Sequence, residues 1–168
     1  IEDFGTPAAY NHFAVGWEVV WAQMAGRVED AERLAREAFE YGMRAHAHDA
    51  ETVFTAQNLI LRRREDGLSE HVATIAAYVE RNPALSAWRA ILPMAHLMAG
   101  DTAAGVAQFR ALAVDDVAAI PRDMFWFTAI ALLGETCALI GDREQAPVLY
   151  GLLEPHADKL VQVTQAAN

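Results

Sequence analysis

Several histidines and acids in this chain are spaced so that they could bind a divalent metal ion. Neutral imidazoles and carboxylates that converge on one hydrated ion can activate water for hydrolysis. The residues are His12, His46, His48 and Asp49, with Asp101 or Asp115 as a later acid. This chemistry requires all of these side chains to meet at one point in the fold.

Two interpretations of this set remain open at the level of sequence. The order of residues imitates that of all-helical metal-dependent phosphohydrolases. The simpler interpretation is that Asp49 caps a helix and that His46 and His48 lie in a polar connection. We favour the second because supporting ligands are scarce. It predicts no catalytic residue, no metal and no cofactor.

The remaining reactive or aromatic groups also have structural interpretations. Arg62–Arg64 suit the last turn of a helix, where cations complement the helix dipole. Cys137 follows Leu133 at helical spacing on an apolar face, without a basic partner nearby in sequence that would activate a thiol. Two aromatic groups have the spacing of buried helix faces, although they could also line a ligand groove. They are Phe125–Phe127 and the pair Trp17 and Trp21.

The elements that must position these groups are marked by four similar turns. Gly26, Gly67, Gly100 and Gly141 each end one apolar, helix-periodic stretch and precede another, at spacings of 41, 33 and 41 residues. Glycine supplies the left-handed conformation that ends a helix, and a polar residue after it can cap the next helix. Recurrence of this signal at such a period predicts stacked helical hairpins.

Eight helices and no strands are expected along the chain. Their expected bounds are 7–25 after a Thr6-Pro7 cap, 29–44, 50–64, 68–80, 102–113, 122–139 and 143–153, and the fifth helix follows a Ser86 cap and carries Trp88, Ile91, Leu92 and Met98. Pro93 predicts a kink or a break in the fifth helix, because an interior proline removes a backbone hydrogen bond. Asp142 and Gln145 have the spacing of a capping box at the last helix.

Alignment of the four turns tests the hairpin hypothesis further. Small or apolar residues stand five, nine and twelve positions after each glycine. Those at five are Ala31, Val72, Gly105 and Ala146; those at nine are Ala35, Ala76, Phe109 and Tyr150; those at twelve are Ala38, Val79, Leu112 and Leu153. The last unit is closest to the tetratricopeptide pattern. The predicted fold is all-α, an α-α superhelix of about four hairpins forming a single domain over 1–168.

Composition limits the partners and the location. The formal net charge is −10, which disfavours binding to nucleic acids and to anionic membranes. The single cysteine excludes an internal disulfide and fits a reducing, cytoplasmic setting. Residues 124–141 are apolar but interrupted by Glu135, which predicts a buried helix instead of a membrane span. A start without Met or a secretory signal suggests a piece of a longer chain.

Most of the chain, from about Gly26 onward, resembles a known kind of repeat region. The motifs are PRD (121–123), LLGETC (132–137), LIGDREQA (139–146) and LYGLLEPHAD (149–158), with LRRREDGL (61–68) and PALSAWRA (83–90) upstream. They resemble the tetratricopeptide-like tail of large bacterial signalling ATPases, which share a chain with a nucleotide cyclase or a LuxR-type DNA-binding domain. The resemblance implies a regulatory, non-catalytic scaffold.

Such a scaffold holds its partners on a concave surface lined by the first helix of each hairpin. In the tetratricopeptide register, the polar or flexible groove residues are Gln23, Gln57, Arg64, Met94 and Glu135. The expected partner is a protein or peptide, including other domains of the same chain. A small effector is the alternative, and apolar hairpin faces at the ends of a solenoid also allow a homodimer.

Overall fold

A computed structural model describes residues 7–62, 67–113, 117–159 and 161, and in these ranges all regular structure is helical. The all-α class is therefore confirmed. The chain divides into two compact units, residues 1–65 with 162–168 and residues 66–161. None of the helices in the described ranges has the length and apolarity that a membrane crossing requires.

Unit 1 contains α1 (Pro7–Met24), α2 (Val28–Arg44) and α3 (Ala50–Arg62). α1 and α2 pack extensively against each other, and α2 packs on α3. Small side chains occupy the buried side of both α1 and α2. They are Gly16 and Ala22 of α1 and Ala31, Ala35, Ala38 and Gly42 of α2. A core cluster forms around this small-residue seam, from Val19, Ala22, Ala31, Leu34, Ala35 and Leu61.

Unit 2 is organised around one central helix. It contains α4 (Val72–Arg81), α5 (Ser86–Met98), α6 (Thr102–Ala113), α7 (Trp126–Ile140) and α8 (Ala146–Leu153), with short 3-10 turns at Ser69–His71, Val117–Ala119 and Glu154–His156. α5 packs against α4, α6 and α7. Every residue from Ser86 to Ala95 except Arg89 is buried, so α5 is the core of this unit.

Glycine ends three of the helices as the sequence predicts. Gly26, Gly100 and Gly141 have φ values of 71°, 79° and 74°, in the left-handed region. In each turn the glycine N–H and the following N–H donate to carbonyls three and five residues earlier, which is the Schellman pattern. The fourth predicted turn glycine, Gly67, borders residues 63–66, which lie outside the described ranges.

The aspartates after two of these glycines cap the next helix. The carboxylate of Asp101 accepts the N–H of Ala104 at the start of α6. The carboxylate of Asp142 accepts the N–H groups of Glu144 and Gln145 before α8. The N–H of Asp142 itself donates to the carbonyl of Cys137. Asp142 thus accepts from Gln145 as a capping box requires, but the reciprocal bond of the predicted box does not form because the Asp142 N–H is paired with Cys137.

One helix end uses a residue that the sequence analysis did not single out for this purpose. At the end of α2, the N–H of His46 donates to the carbonyl of Met43 and that of Ala47 to the carbonyl of Gly42. His46 has a φ of 54° and is the one non-glycine residue with positive φ in the described ranges. The same Schellman geometry thus forms here with a side chain that disfavours it.

Several expected boundaries are wrong. Ser86 is the first residue of α5 and Leu85 precedes it as the cap position, so Ser86 does not cap the helix. α5 continues through Pro93, so the expected break does not occur, and the alternative of a kink stays a prediction. α7 and α8 begin later than predicted, at Trp126 and Ala146, because the residues before each of them form turns. Thr6 and Arg64 lie outside the described residues.

The predicted small-residue register is buried in two hairpins, half-buried at Val72, Ala76 and Val79, and partly exposed in the last hairpin. Ala31, Ala35 and Ala38 are buried in unit 1, and Gly105, Phe109 and Leu112 are buried in α6. In α8, however, Ala146 and Tyr150 are exposed and Leu149 is buried instead. The buried face of α8 is therefore rotated from the one that the tetratricopeptide alignment predicts.

Substitution of two helical glycines should have opposite effects. A Cβ at Gly105 would lie 2.8 Å from the Leu97 side chain and 3.0 Å from the Pro93 carbonyl. We expect Gly105→Ala to lower the free energy of unfolding by about 1 kcal/mol or more, since overpacking outweighs the gain in helix propensity. Gly151→Ala, which meets no atom within 4 Å, should raise it by up to about 1 kcal/mol. Urea denaturation measures both free energies. A stabilising Gly105→Ala would contradict the close packing of α6 against Leu97 and Pro93 of α5.

The strained end of α2 makes a second prediction. His46→Gly should raise the free energy of unfolding by about 1 kcal/mol, because glycine adopts positive φ without steric cost. Gly141→Ala is the matched control: a Cβ there meets no atom within 4 Å, so its expected loss of about 1 kcal/mol comes from φ alone. Thermal unfolding followed by circular dichroism measures both. A destabilising His46→Gly would show that the imidazole makes a compensating interaction.

Candidate functional site

The residues of the hypothetical metal set are separated in the structure. His46 and His48 are exposed in the connection between α2 and α3. Asp101 caps α6 in unit 2, where its carboxylate lies 3.6 Å from Nδ1 of His96. Asp115 lies outside the described residues. In the described part of the chain, no three His, Cys, Asp or Glu side chains are close enough to share a metal ion.

His12 and Asp49 nevertheless approach each other inside unit 1. His12 is 1% exposed, and its Nδ1 donates to the carbonyl of Ala38 at 2.8 Å. Its Nε2 lies 4.0 Å from Oδ1 of Asp49. The space for the ring depends on Gly42, where a Cβ would lie 2.9 Å from Nδ1. His12 therefore connects α1 to α2 and to the start of α3.

This contact leaves two buried polar atoms without a hydrogen bond. Neither Nε2 of His12 nor Oδ2 of Asp49 has a partner in the structure. Because the carbonyl of Ala38 only accepts hydrogen bonds, Nδ1 carries the proton, and Nε2 of a neutral ring is then an acceptor that faces another acceptor. With a neutral ring the contact is electrostatically unfavourable, and with a protonated ring it is an ion pair.

Neutral variants of this pair test that reasoning. Asp49→Asn should maintain or raise the free energy of unfolding, by up to about 1 kcal/mol, because an amide can donate to Nε2. His12→Ala should lower it by about 2–4 kcal/mol, because it leaves a cavity and removes the hydrogen bond between His12 and Ala38. Glu51→Gln, at an exposed carboxylate in the first turn of α3, controls for the loss of charge. An Asp49→Asn variant as unstable as His12→Ala would show that the two groups form an ion pair.

Cys137 is held in a structural environment. It is 3% exposed, and its thiol donates to the carbonyl of Asp142 at 3.2 Å. Burial raises the pKa of the thiol, and the negative charge of Asp142 raises it further. The thiol is therefore protonated at neutral pH and is a poor nucleophile.

A row of large apolar side chains on α1 is exposed to solvent. We call this row the α1 stripe. Its members and their exposed fractions are Tyr10 (74%), Phe13 (38%), Trp17 (46%), Trp21 (61%) and Met24 (52%). At 100° per residue they fall within about 80° of arc on one side of the helix. A contiguous exposed patch of five large apolar side chains is typical of interaction surfaces.

The expectation that Trp17 and Trp21 belong to a core is therefore wrong. α1 buries its small side instead, with Gly16, Val19 and Ala22 facing inward. Periodicity showed that α1 has an apolar face, but both sides of this helix are apolar and sequence alone did not select the buried one. The expectation for Trp126 is confirmed, since this ring is 9% exposed and Arg122 lies over it.

The predicted groove residues occupy different environments. Gln23 is partly buried and its Nε2 donates to the carbonyl of Gln57 at 3.4 Å, while the amide of Gln57 is buried without a partner. In unit 2, Met94 is 1% exposed and Glu135 is exposed. Arg64 is outside the described residues. The structure thus joins Gln23 to Gln57 and presents Glu135 to solvent.

Unit 2 has an open depression beside the turn between α7 and α8. It has a volume of about 700 Å³, within the range of small-molecule sites. Arg110 of α6 lines one side, and residues 140–145 line the other. Two arginines, Arg110 and Arg143, and two acids, Asp142 and Glu144, are among its lining residues.

Comparisons with known proteins identify no similar family, protein or structure. Searches of protein families, of curated proteins and of solved structures find no match to this chain. The fold and the exposed surface therefore define it only by class, as an all-helical protein with helical hairpins and an uncovered aromatic helix face.

Proposed function

We propose that this chain is a non-catalytic protein-interaction or sensory scaffold. The observation that carries the proposal is the α1 stripe, in which two tryptophans and a tyrosine remain in water at a cost that a partner would relieve. Tryptophan and tyrosine are the residues most enriched among the dominant contacts of protein interfaces. The expected partner is a protein or a peptide.

The hairpins are proposed to stack as a tetratricopeptide-like superhelix in a regulatory region of a cytoplasmic bacterial signalling ATPase, a transcriptional regulator or a cyclase. Support comes from the recurring glycine turns with their Schellman bonds and from the motif resemblance at 121–158. The net charge of −10 favours protein partners over nucleic acid. Glu135 offers an exposed polar contact on the proposed groove, with Gln23 partly accessible.

A second candidate function is sensing of a small effector. The depression beside Arg110 supports it, because its volume suits a metabolite and its arginine can bind a carboxylate or phosphate. This candidate predicts that a panel of sugar phosphates and nucleotides includes one that raises the melting temperature. The rise should be lost in Arg110→Ala.

Selection of helical peptides tests the interaction function. A displayed library of amphipathic peptides is panned against the 168-residue chain, and the binding of enriched peptides is measured by fluorescence anisotropy. We expect Trp21→Lys to weaken binding about tenfold or more, because a charge replaces an apolar anchor. Glu135→Lys should weaken it if the peptide occupies the proposed groove.

Tyr150→Lys is the matched control, since this exposed aromatic on α8 receives the same charged side chain away from α1. Circular dichroism should show unchanged helicity in all three variants. Peptides that bind wild type, Trp21→Lys and Glu135→Lys with the same affinity would contradict the assignment of both the α1 stripe and the proposed groove as binding sites. Absence of any enriched peptide would contradict the interaction function itself.

A further inference from the structure

We propose that the α1 stripe binds the α1 stripe of a second copy of this chain, with the two helices antiparallel. The proposal rests on the interaction function above and names the partner of that surface. Three properties of the stripe support the second copy as partner: its symmetry, its charge and its area.

The stripe is spaced symmetrically about its central residue. Tyr10 and Met24 lie seven residues before and after Trp17, and Phe13 and Trp21 lie four before and after it. A two-fold axis through Trp17 therefore places Tyr10 opposite Met24 and Phe13 opposite Trp21 of the other copy. A two-fold dimer requires such a self-complementary patch. Binding to an unrelated partner does not require this symmetry.

The charge distribution favours contact between copies at this surface. Two chains of net charge −10 repel each other, so they can associate only where few charges are brought together. α1 carries one ionised acid, Glu18, among its 18 residues, whereas the exposed side of α2 is rich in acids. In the antiparallel pair, the two Glu18 side chains lie near the two-fold axis, on the same edge of the interface. Their like charges oppose association slightly.

The area is sufficient for a weak dimer. The exposed parts of the five side chains amount to about 500 Å² per copy, given that a large aromatic side chain buries about 150–250 Å². Two copies thus bury about 1,000 Å², at the lower limit of specific interfaces. We therefore expect a concentration-dependent dimer with a dissociation constant on the order of 10 μM.

Sedimentation velocity of the 168-residue chain between about 1 and 200 μM tests association. The wild type should change from monomer to dimer across this range. Trp17→Lys should raise the dissociation constant at least tenfold, because it places two cations at the axis, and Tyr10→Lys should do so at a more exposed position. Tyr150→Lys should leave it unchanged, and Glu18→Gln should lower it.

Cysteine crosslinking tests the antiparallel register. Trp17→Cys should form a disulfide dimer under mild oxidation, because the axis brings equal positions together. Tyr10→Cys and Met24→Cys should each crosslink poorly alone, since equal positions then lie about 21 Å apart, and should crosslink when mixed. Tyr150→Cys is the control, and native Cys137 is buried.

Three results would overturn the proposal. They are a wild type that stays monomeric at 200 μM, a dimer unaffected by both lysine variants of α1, and efficient crosslinking of Tyr10→Cys alone. A monomeric chain that still binds selected peptides through Trp21 would overturn only the second copy as partner. The interaction function would then stand, so the two failures are distinguishable.

Discussion

The close packing of α1 on α2 through small side chains is the constraint on which the rest of unit 1 depends. Gly16 and Ala22 of one helix face inward, as do Ala31, Ala35 and Ala38 of the other. A seam of small residues lets two helices approach closely, and it has no space for an indole or a phenyl ring. The exposed aromatic stripe and the tightly packed seam are therefore two sides of one arrangement of α1.

Unit 2 buries its large residues in a different way. α5 is surrounded by α4, α6 and α7, and Trp88 packs on Tyr78 with ring centroids 4.2 Å apart. Gly105 allows α6 to approach the Pro93 carbonyl on α5. Because a central helix is covered on several sides, its bulky residues are buried even where the sequence lacks a polar face. Large apolar side chains are thus buried in unit 2 and exposed along α1 in unit 1.

Buried polar side chains in both units donate hydrogen bonds to backbone carbonyls. His12 donates to the carbonyl of Ala38, and the thiol of Cys137 donates to the carbonyl of Asp142, whose own N–H donates back to Cys137. These bonds give the buried side chains their partners, because an unpaired polar group in the interior is costly. His12 and Cys137 are accordingly parts of the packed interior, whereas the large aromatic side chains of the α1 stripe lie on the surface.

The amino-acid sequence by itself determined the helical class, the three left-handed glycine turns and the bounds of α6, because these depend on local backbone preferences and capping. It did not determine which side of α1 is buried, the rotation of α8 or the left-handed His46. Those features depend on which neighbouring surface fits most closely. When two faces of one helix are both apolar, the spacing of apolar residues does not distinguish the buried face from the exposed one. Only the tertiary structure decided that Ala22 faces inward and Trp21 faces water, because packing selects by shape as well as by polarity.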